Sequence, residues 1–499
     1  MPLAALDIPP GFYRKGTDYQ SRGRWYDGSL VRWVGDLIRP IGGWTLGASI
    51  TLDGIARAIL VWRDNSAIRY IAIGTNTSLY VSEGGSYSDV APVDLTAGSE
   101  TATPSEGFGS GQYGMGDYNV AGVGTSAVSA AATWSFDNWG ENLIAVLTSD
   151  GRILEYEPGD TVAAVVVNAP VNCVAALVSN ERHLFALGAS GNKRLVAWST
   201  QEDNTDWTPT GTNTAGDLEL ETNGNIITGR KLTSGRILVW TSIDVHAFDY
   251  LGTPFIYSRN RIGENCGILG PNAAVVVSDR AFWMGEGKFW MYDGGVVNEM
   301  PCDISDKVWN DINLYQRAKI FAGHNSEFNE VWWFYPSAAS DENDSYAVFN
   351  YQSRVWYFGV LARTCWADKG VYPNPLAVHP DGTVYEQETG LTANGSTRVG
   401  DVFIQGGAVE IGDGDRVAYI NLIMPDIRGN PSALELTFTA QMTPQGDEQE
   451  YGPFTLNPTN GYAEARAAGR TLSPRWDQVA DLDWSLGRQR VDMVLGGRS

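Results

Sequence analysis

Hydrophobic and polar positions alternate with a period of two along most of the 499 residues, in short runs broken by tight polar turns. Seven times between residues 66 and 390 the same local design recurs: a β-branched or aromatic run, a turn, and a second run ending in an aromatic. The repeats are 69–81 (RYIAIGTNTSLYV), 142–156 (NLIAVLTSDGRILEY), 183–198, 236–250, 281–292 (AFWMGEGKFWMY), 331–349 and 376–385 (LAVHPDGTVY). Each reads as a β-hairpin, because Thr-Asn, Asp-Gly, Ser-Gly and Glu-Gly turns tolerate the positive φ that short hairpin loops need. Their starts lie 73, 41, 53, 45, 50 and 45 residues apart. Apart from the first, these gaps match one four-stranded propeller blade. The expected fold is therefore all-β: a β-propeller of about seven blades, with a stacked series of β-sandwiches as the other arrangement the repeats allow.

The long first gap is explained by residues 97–133, rich in Gly, Ser, Ala and Thr and almost without large aliphatics, which read as a flexible insertion. Residues 1–28 read as an extended arm, broken by Pro and Gly and locally basic at Arg14, Lys15, Arg22 and Arg24. The following 29–44 reads as a hairpin, and N-terminal strands of this kind complete the last blade of a circular fold. The propeller is placed at 29–395. After residue 396 the blade spacing is lost and longer alternating strands follow, so 396–499 is expected to form a separate β-sandwich-like domain. One short helix is expected within 301–318, capped by Asp303 or Ser305.

Charge narrows the function. The formal net charge of −23 argues against a surface held to nucleic acid by phosphate contacts and against an anionic membrane. A negative wall does suit a channel through which DNA slides without sticking. No run of 18 apolar residues and no signal-peptide pattern is present, which points to synthesis in a cytosol. Cys173, Cys266, Cys302 and Cys365 stand singly, as buried thiols do.

Chemistry is sparse. Gly109 to Gly114 (GSGQYG) matches a dinucleotide-binding pattern but lies inside the insertion, with no strand before it and no helix after it. His183, His246, His324 and His379 have no metal-ligand spacing. Asp341, Glu342 and Asp344, and separately Asp413 and Asp415, are clustered carboxylates of the kind that bind calcium or pair in glycosidases, but both groups sit where turns are expected. No cofactor, metal or catalytic residue is assigned. Trp332, Trp333, Trp356 and Trp366 are candidates for a sugar-stacking platform, although consecutive Trp332 and Trp333 on one strand point to opposite faces, which puts one in the core and one between blades or subunits. Near the C-terminus Arg466, Arg470, Arg475, Arg488 and Arg490 interleave with Trp476 and Trp484, a composition typical of interfaces.

Several segments carry a resemblance: RGRWYDGSLVRWVGDLIRPIGGW from Arg22, LVAWSTQEDNTDWTPTGTNTAGDLEL from Leu195, GKFWMYDGGVVNEMPCDISDKVWNDIN from Gly287, NEVWWFYPSAASDENDSYAVFNYQSRVWYFG from Asn329 and WSLGRQRVDMVLGGR from Trp484. Together they resemble virion proteins of short-tailed bacteriophages, the tail nozzle or tail tubular protein B group. The resemblance implies a structural, non-enzymatic subunit of a homo-hexameric ring below the head-to-tail adaptor. It implies a ring that lines the DNA exit channel without specific DNA binding, holds fibres or spikes, and is assembled in the host cytoplasm into the virion tail. On that pattern Arg14, Arg22 and Arg24 are expected to dock the adaptor, and Arg466 and Arg470 are expected at an interface. The 37-residue insertion has no place on it. Two other classes stay open: a receptor-binding tail protein or fibre hub contacting bacterial surface glycans, and a tail-borne glycan depolymerase.

Overall fold

Seven four-stranded antiparallel sheets arranged as blades around one axis make up residues 44–387 of the protein, seen here in a computed structural model that describes residues 3–48, 50–107, 122–410, 416–443 and 446–496. All seven hairpins read from the sequence are the two middle strands of successive blades, from Arg69–Thr75 with Leu79–Glu83 in the first to Leu376–Val378 with Val384–Gln387 in the seventh. The innermost strands, Ala56–Arg63, Trp134–Trp139, Ala175–Val178, Ile226–Lys231, Ala274–Val277, Phe321–Asn325 and Cys365–Ala367, each touch the next, and the last touches the first. The ring is closed. Its seventh blade takes its outer strand from the N-terminal part of the chain: Trp44–Ala48 pairs with Val384–Gln387, so residues more than 330 positions apart share one sheet.

Blades are held face to face by aromatic rings set on glycines. A Cβ added at Gly74 of the first blade would lie 2.4 Å from Trp134 of the second, and one at Gly323 of the sixth would lie 2.7 Å from Trp366 of the seventh. The indole of Trp366 also donates to the carbonyl of His324 at 2.8 Å, so the one polar atom of the packed ring is satisfied across the seam. Trp332 and Trp333 point to opposite faces of the sixth blade, as their alternation requires. Both are fully buried, Trp332 stacked on Trp366 of the seventh blade and Trp333 against Phe289 of the fifth. A strand inside a blade has a neighbouring blade on each face, and both faces are core.

Twelve further strands form two six-stranded sheets, and they draw on both ends of the sequence. One contains Ala4–Leu6, Val31–Val34 and Leu37–Pro40 with Trp484–Leu495, Ala418–Gly429 and Ala467–Gly469. The other contains Trp25–Ser29 with Phe403–Gly406, Thr471–Gln478, Leu434–Gln441, Gln449–Thr455 and Val409–Glu410. The expected boundaries shift accordingly. The 1–28 arm and the 31–40 hairpin belong to the sandwich, and only the strand after the hairpin closes the ring. The hairpin carries its apolar side chains where either sheet would accept them, and it is Leu486 of the C-terminal strand that pairs with Ile38. Between the two sheets the chain turns at Leu30, a buried residue at φ +53° whose N–H donates to the Tyr346 hydroxyl at 2.9 Å.

Two smaller expectations change as well. The helix spans Ser305–Asp311, followed by a 3-10 turn at Leu314–Lys319, and neither Asp303 nor Ser305 caps it: the residue before it is Ile304, with no side-chain cap. The insertion is not irregular at its base, where Thr103–Gly107 pairs with Gly122–Ser129 in an antiparallel ribbon.

Candidate functional site

The axis of the propeller is bridged where the inner strands begin. Asn272, on the linker into the fifth blade, donates to the carbonyls of Arg57 in the first blade at 3.2 Å and Trp134 in the second at 3.3 Å. Its own carbonyl accepts from Ala322 of the sixth blade, and its Oδ1 accepts from Arg230 of the fourth at 2.9 Å. Five blades thus meet through one 6%-exposed asparagine. Beside it Arg57 makes a two-pronged pair with Glu342 at 2.7 and 2.8 Å, and the Lys319 ammonium bonds the same carboxylate. Burial alone would raise the Glu342 pKa, but the two cations outweigh it and hold the carboxyl below its usual range. Burial, with Arg57 beside it, lowers that of Lys319.

Of the carboxylates considered for calcium, Asp341, Glu342 and Asp344 are engaged by neighbouring side chains. Glu342 is held by Arg57 and Lys319, Asp344 accepts from Ser337, and Asp341 accepts from Gln316. Asp413 and Asp415 lie outside the described residues, as does the 109–114 glycine pattern. Among the described residues no group of three or more His, Cys, Asp or Glu is placed to hold a metal ion. The histidines are paired within the fold: His183 with Tyr257 and Thr214, His246 with Asp244, His324 with Asp368 and Tyr351, His379 with Asp381. Burial pushes the thiols of Cys173, Cys266, Cys302 and Cys365 up to about 12, so all four stay protonated at neutral pH.

Most of the arginines expected at interfaces have partners in the same chain. Arg14 lies 3.9 Å over the ring of Tyr26. Arg22 pairs with Glu410 and Arg24 with Asp303, the second of these tying the N-terminal segment to the start of the helix. Arg466 is exposed and Arg470 half-buried, with the Arg470 N–H donating to Gln441. The described structure therefore places Arg14 and Arg24 together at the sandwich–propeller seam, while Arg470 directly precedes Thr471, the strand partner of Glu410.

That seam contains a cluster the sequence reading missed. Arg32 of the sandwich hairpin is 2% exposed and sits between Glu388, at 2.8 Å, and Glu330 of the sixth blade, at 3.0 Å. Glu330 also receives Trp332 at 2.9 Å and the Tyr357 hydroxyl. Burial raises the Glu330 pKa, with Arg32 pulling the other way. The only signal in the sequence was a charge at Arg32 between two apolar neighbours, Val31 and Trp33.

One cleft stands out on the surface. At the end of the ring bridged by Asn272, a cavity of about 730 Å³ is lined by Ile226, Ile243, Leu269, Trp290, Leu314 and Tyr315, with Glu286 and Arg317 as its charged walls. Ala130 and Ala131, at the foot of the insertion ribbon, form another side.

No family model and no curated protein matches the chain. Solved β-propellers do. The β-propeller domain of Cps50 (Swd1) from Myceliophteria thermophila aligns over 69% of this chain and 98% of its own at 8% identity and TM-score 0.39. The WD40 β-propeller domain of Doa1 aligns over 69% and 97% at 9% identity and TM-score 0.41, and YCF48 bound to D1 peptide over 70% and 97% at 11% identity and TM-score 0.38. At these identities the likeness concerns the fold alone, and the fold is an all-β propeller carrying a second β domain.

Proposed function

We propose that this chain is a structural subunit of a bacteriophage tail, assembling as a homo-oligomeric ring, a nozzle, around the DNA exit path between the head-to-tail adaptor and the fibres or spikes. The observation that carries the reading is the stitching of residues 4–48, which run through both sandwich sheets and then complete the seventh blade. A force applied to either domain is carried into the other by paired strands and by the buried Arg32 cluster, which is what a load-bearing ring component requires. The resemblance of the segments around Arg22, Leu195 and Asn329 to tail nozzle proteins supplies the setting. The net charge of −23 suits a wall past which DNA moves without being held. The lumen of such a ring lies between copies, because Asn272 bridges the axis within each.

A glycan-binding reading loses its platform, since Trp332, Trp333, Trp356 and Trp366 are all 5% exposed or less. The test is position. Gold-labelled antibody against the chain, viewed by electron microscopy on purified particles, is expected to cluster on the tail axis below the neck. Label on peripheral appendages, or absence of the chain from purified particles by mass spectrometry, would overturn the proposal.

A further inference from the structure

The fourth blade departs from the other six. Its two outer strands, Asp244–Gly252 and Ile256–Glu264, are nine residues each, whereas the outermost strands of the remaining blades have two to six. The extra length ends in a turn whose base, Ile256 and Tyr257, packs against the third blade. At that tip Phe255 is 77% exposed and Leu251 59%, and residues 250–258 (YLGTPFIYS) include no charged side chain. The base is rigid. Tyr250 packs edge-on against Tyr257 at 5.4 Å, and Tyr257 is buried against Phe185 with its hydroxyl bonded to Ser179 and His183. Two large apolar side chains are thus held out in water on a fixed support, which on a soluble surface marks a contact site.

The opposite end of the same strand carries the complement. Ile243, immediately before Asp244, is 42% exposed and lines the 730 Å³ cleft with Ile268, Trp290 and Leu314. Nine residues of extended chain separate the two, roughly 30 Å, so one molecule cannot fill its own cleft with its own tip. A cleft of this size takes a drug-sized apolar group. The tip is uncharged, the cleft wall mainly apolar, and the two sit on opposite faces of the ring.

We propose that copies of this chain associate head-to-tail, Leu251 and Phe255 of one copy seated in the cleft beside Ile243 of the next. Such a contact uses two different surfaces, so it repeats and either closes into a ring or runs on. It deepens the ring reading above and rests on it for the expectation of more than one copy.

The experiment uses sedimentation velocity on the full chain over a concentration series. Wild type is expected to associate, while a tip variant (Leu251→Asp with Phe255→Asp) and a cleft variant (Ile243→Asp with Leu314→Asp) each sediment as monomers with unchanged circular dichroism. Mixing the two variants is decisive. One intact tip then meets one intact cleft, and a 1:1 dimer that grows no further is expected. A wild-type monomer at every concentration, variants that associate as wild type does, or a mixture that stays monomeric would each overturn the contact. So would flotation of wild type with phosphatidylcholine vesicles, lost in the tip variant while association persists, which would assign the tip to lipid. The location of the chain on particles is decided separately, so failure here and failure of the tail reading are distinguishable.

Discussion

Arg32 donates to Glu388 at 2.8 Å across the seam between the sandwich and the propeller, and both side chains are almost completely buried. With Glu330 on its other side, one guanidinium serves two carboxylates from two blades. Replacing Arg32 by Met removes the cation and leaves both carboxylates without it, a loss of about 3 to 5 kcal/mol. The expected result in urea is an early transition in which the sandwich leaves the ring, followed by that of the propeller. A single unshifted transition would show that the cluster adds nothing to the seam.

His183 gives a pH dependence whose sign is set by burial. Its imidazole is fully buried against Tyr257 and its pKa is lowered from 6.5 to about 4, with Glu181 opposing the shift. The unfolded chain therefore takes up a proton between pH 6.5 and 4 that the folded chain refuses. Stability is whole above pH 6.5 and falls as pH drops through that window, by roughly 2 kcal/mol from pH 6.5 to 5. His183→Gln removes this part of the slope. Melting temperatures of the two proteins at pH 7, 6 and 5 are expected to converge as pH falls, and parallel curves would rule the assignment out.

The seams between blades predict a steep dependence on single methyl groups. A Cβ at Gly323 would meet the Trp366 ring at 2.7 Å, and the ring is fixed by its bond to the His324 carbonyl. Gly323→Ala is expected to cost about 1 to 3 kcal/mol through overpacking. Gly211, on an exposed loop with nothing within 4 Å of its would-be Cβ, is the control, and Gly211→Ala is expected to stay within about 0.5 kcal/mol of wild type. Equal urea midpoints for the two variants would mean that the blades yield freely.

The blades were legible because each of their middle hairpins is a local object: alternation and an Asp-Gly or Glu-Gly turn suffice, and nothing distant is needed. What failed was partner choice. The 31–40 hairpin and the 44–48 strand have the same period, and which of them enters the ring is decided by Val384–Gln387 and Leu486, hundreds of residues away. Nothing local in GPNAAV marks Asn272, and only closure of the ring brings Arg57 and Trp134 to its amide. Trp332 and Trp333 read as one ring in the core and one between blades or subunits, and both are buried between blades, because a blade interior has no wet face.

The N-terminal segment shows the same lesson in its energetics. Read as an arm with Arg14, Arg22 and Arg24 free for a neighbour, it is instead anchored by Phe12, which is 0% exposed. The Phe12 ring lies 5.1 Å from Trp33 of the sandwich, edge to face, and 4.9 Å from Phe358 of the sixth blade, and its N–H donates to the Trp356 carbonyl at 2.9 Å. One phenyl ring therefore fills the gap between two domains. Phe12→Ala leaves a cavity that neither β-sheet collapses into readily, and the expected loss is about 3 to 5 kcal/mol. Because backbone pairing of Ala4–Leu6 with Gln489 to Val491 is untouched, the damage concentrates at the seam. Limited proteolysis is expected to cut the variant between residues 6 and 25 under conditions where wild type resists. A variant as resistant as wild type, with the same melting temperature, would return this segment to the role of an arm.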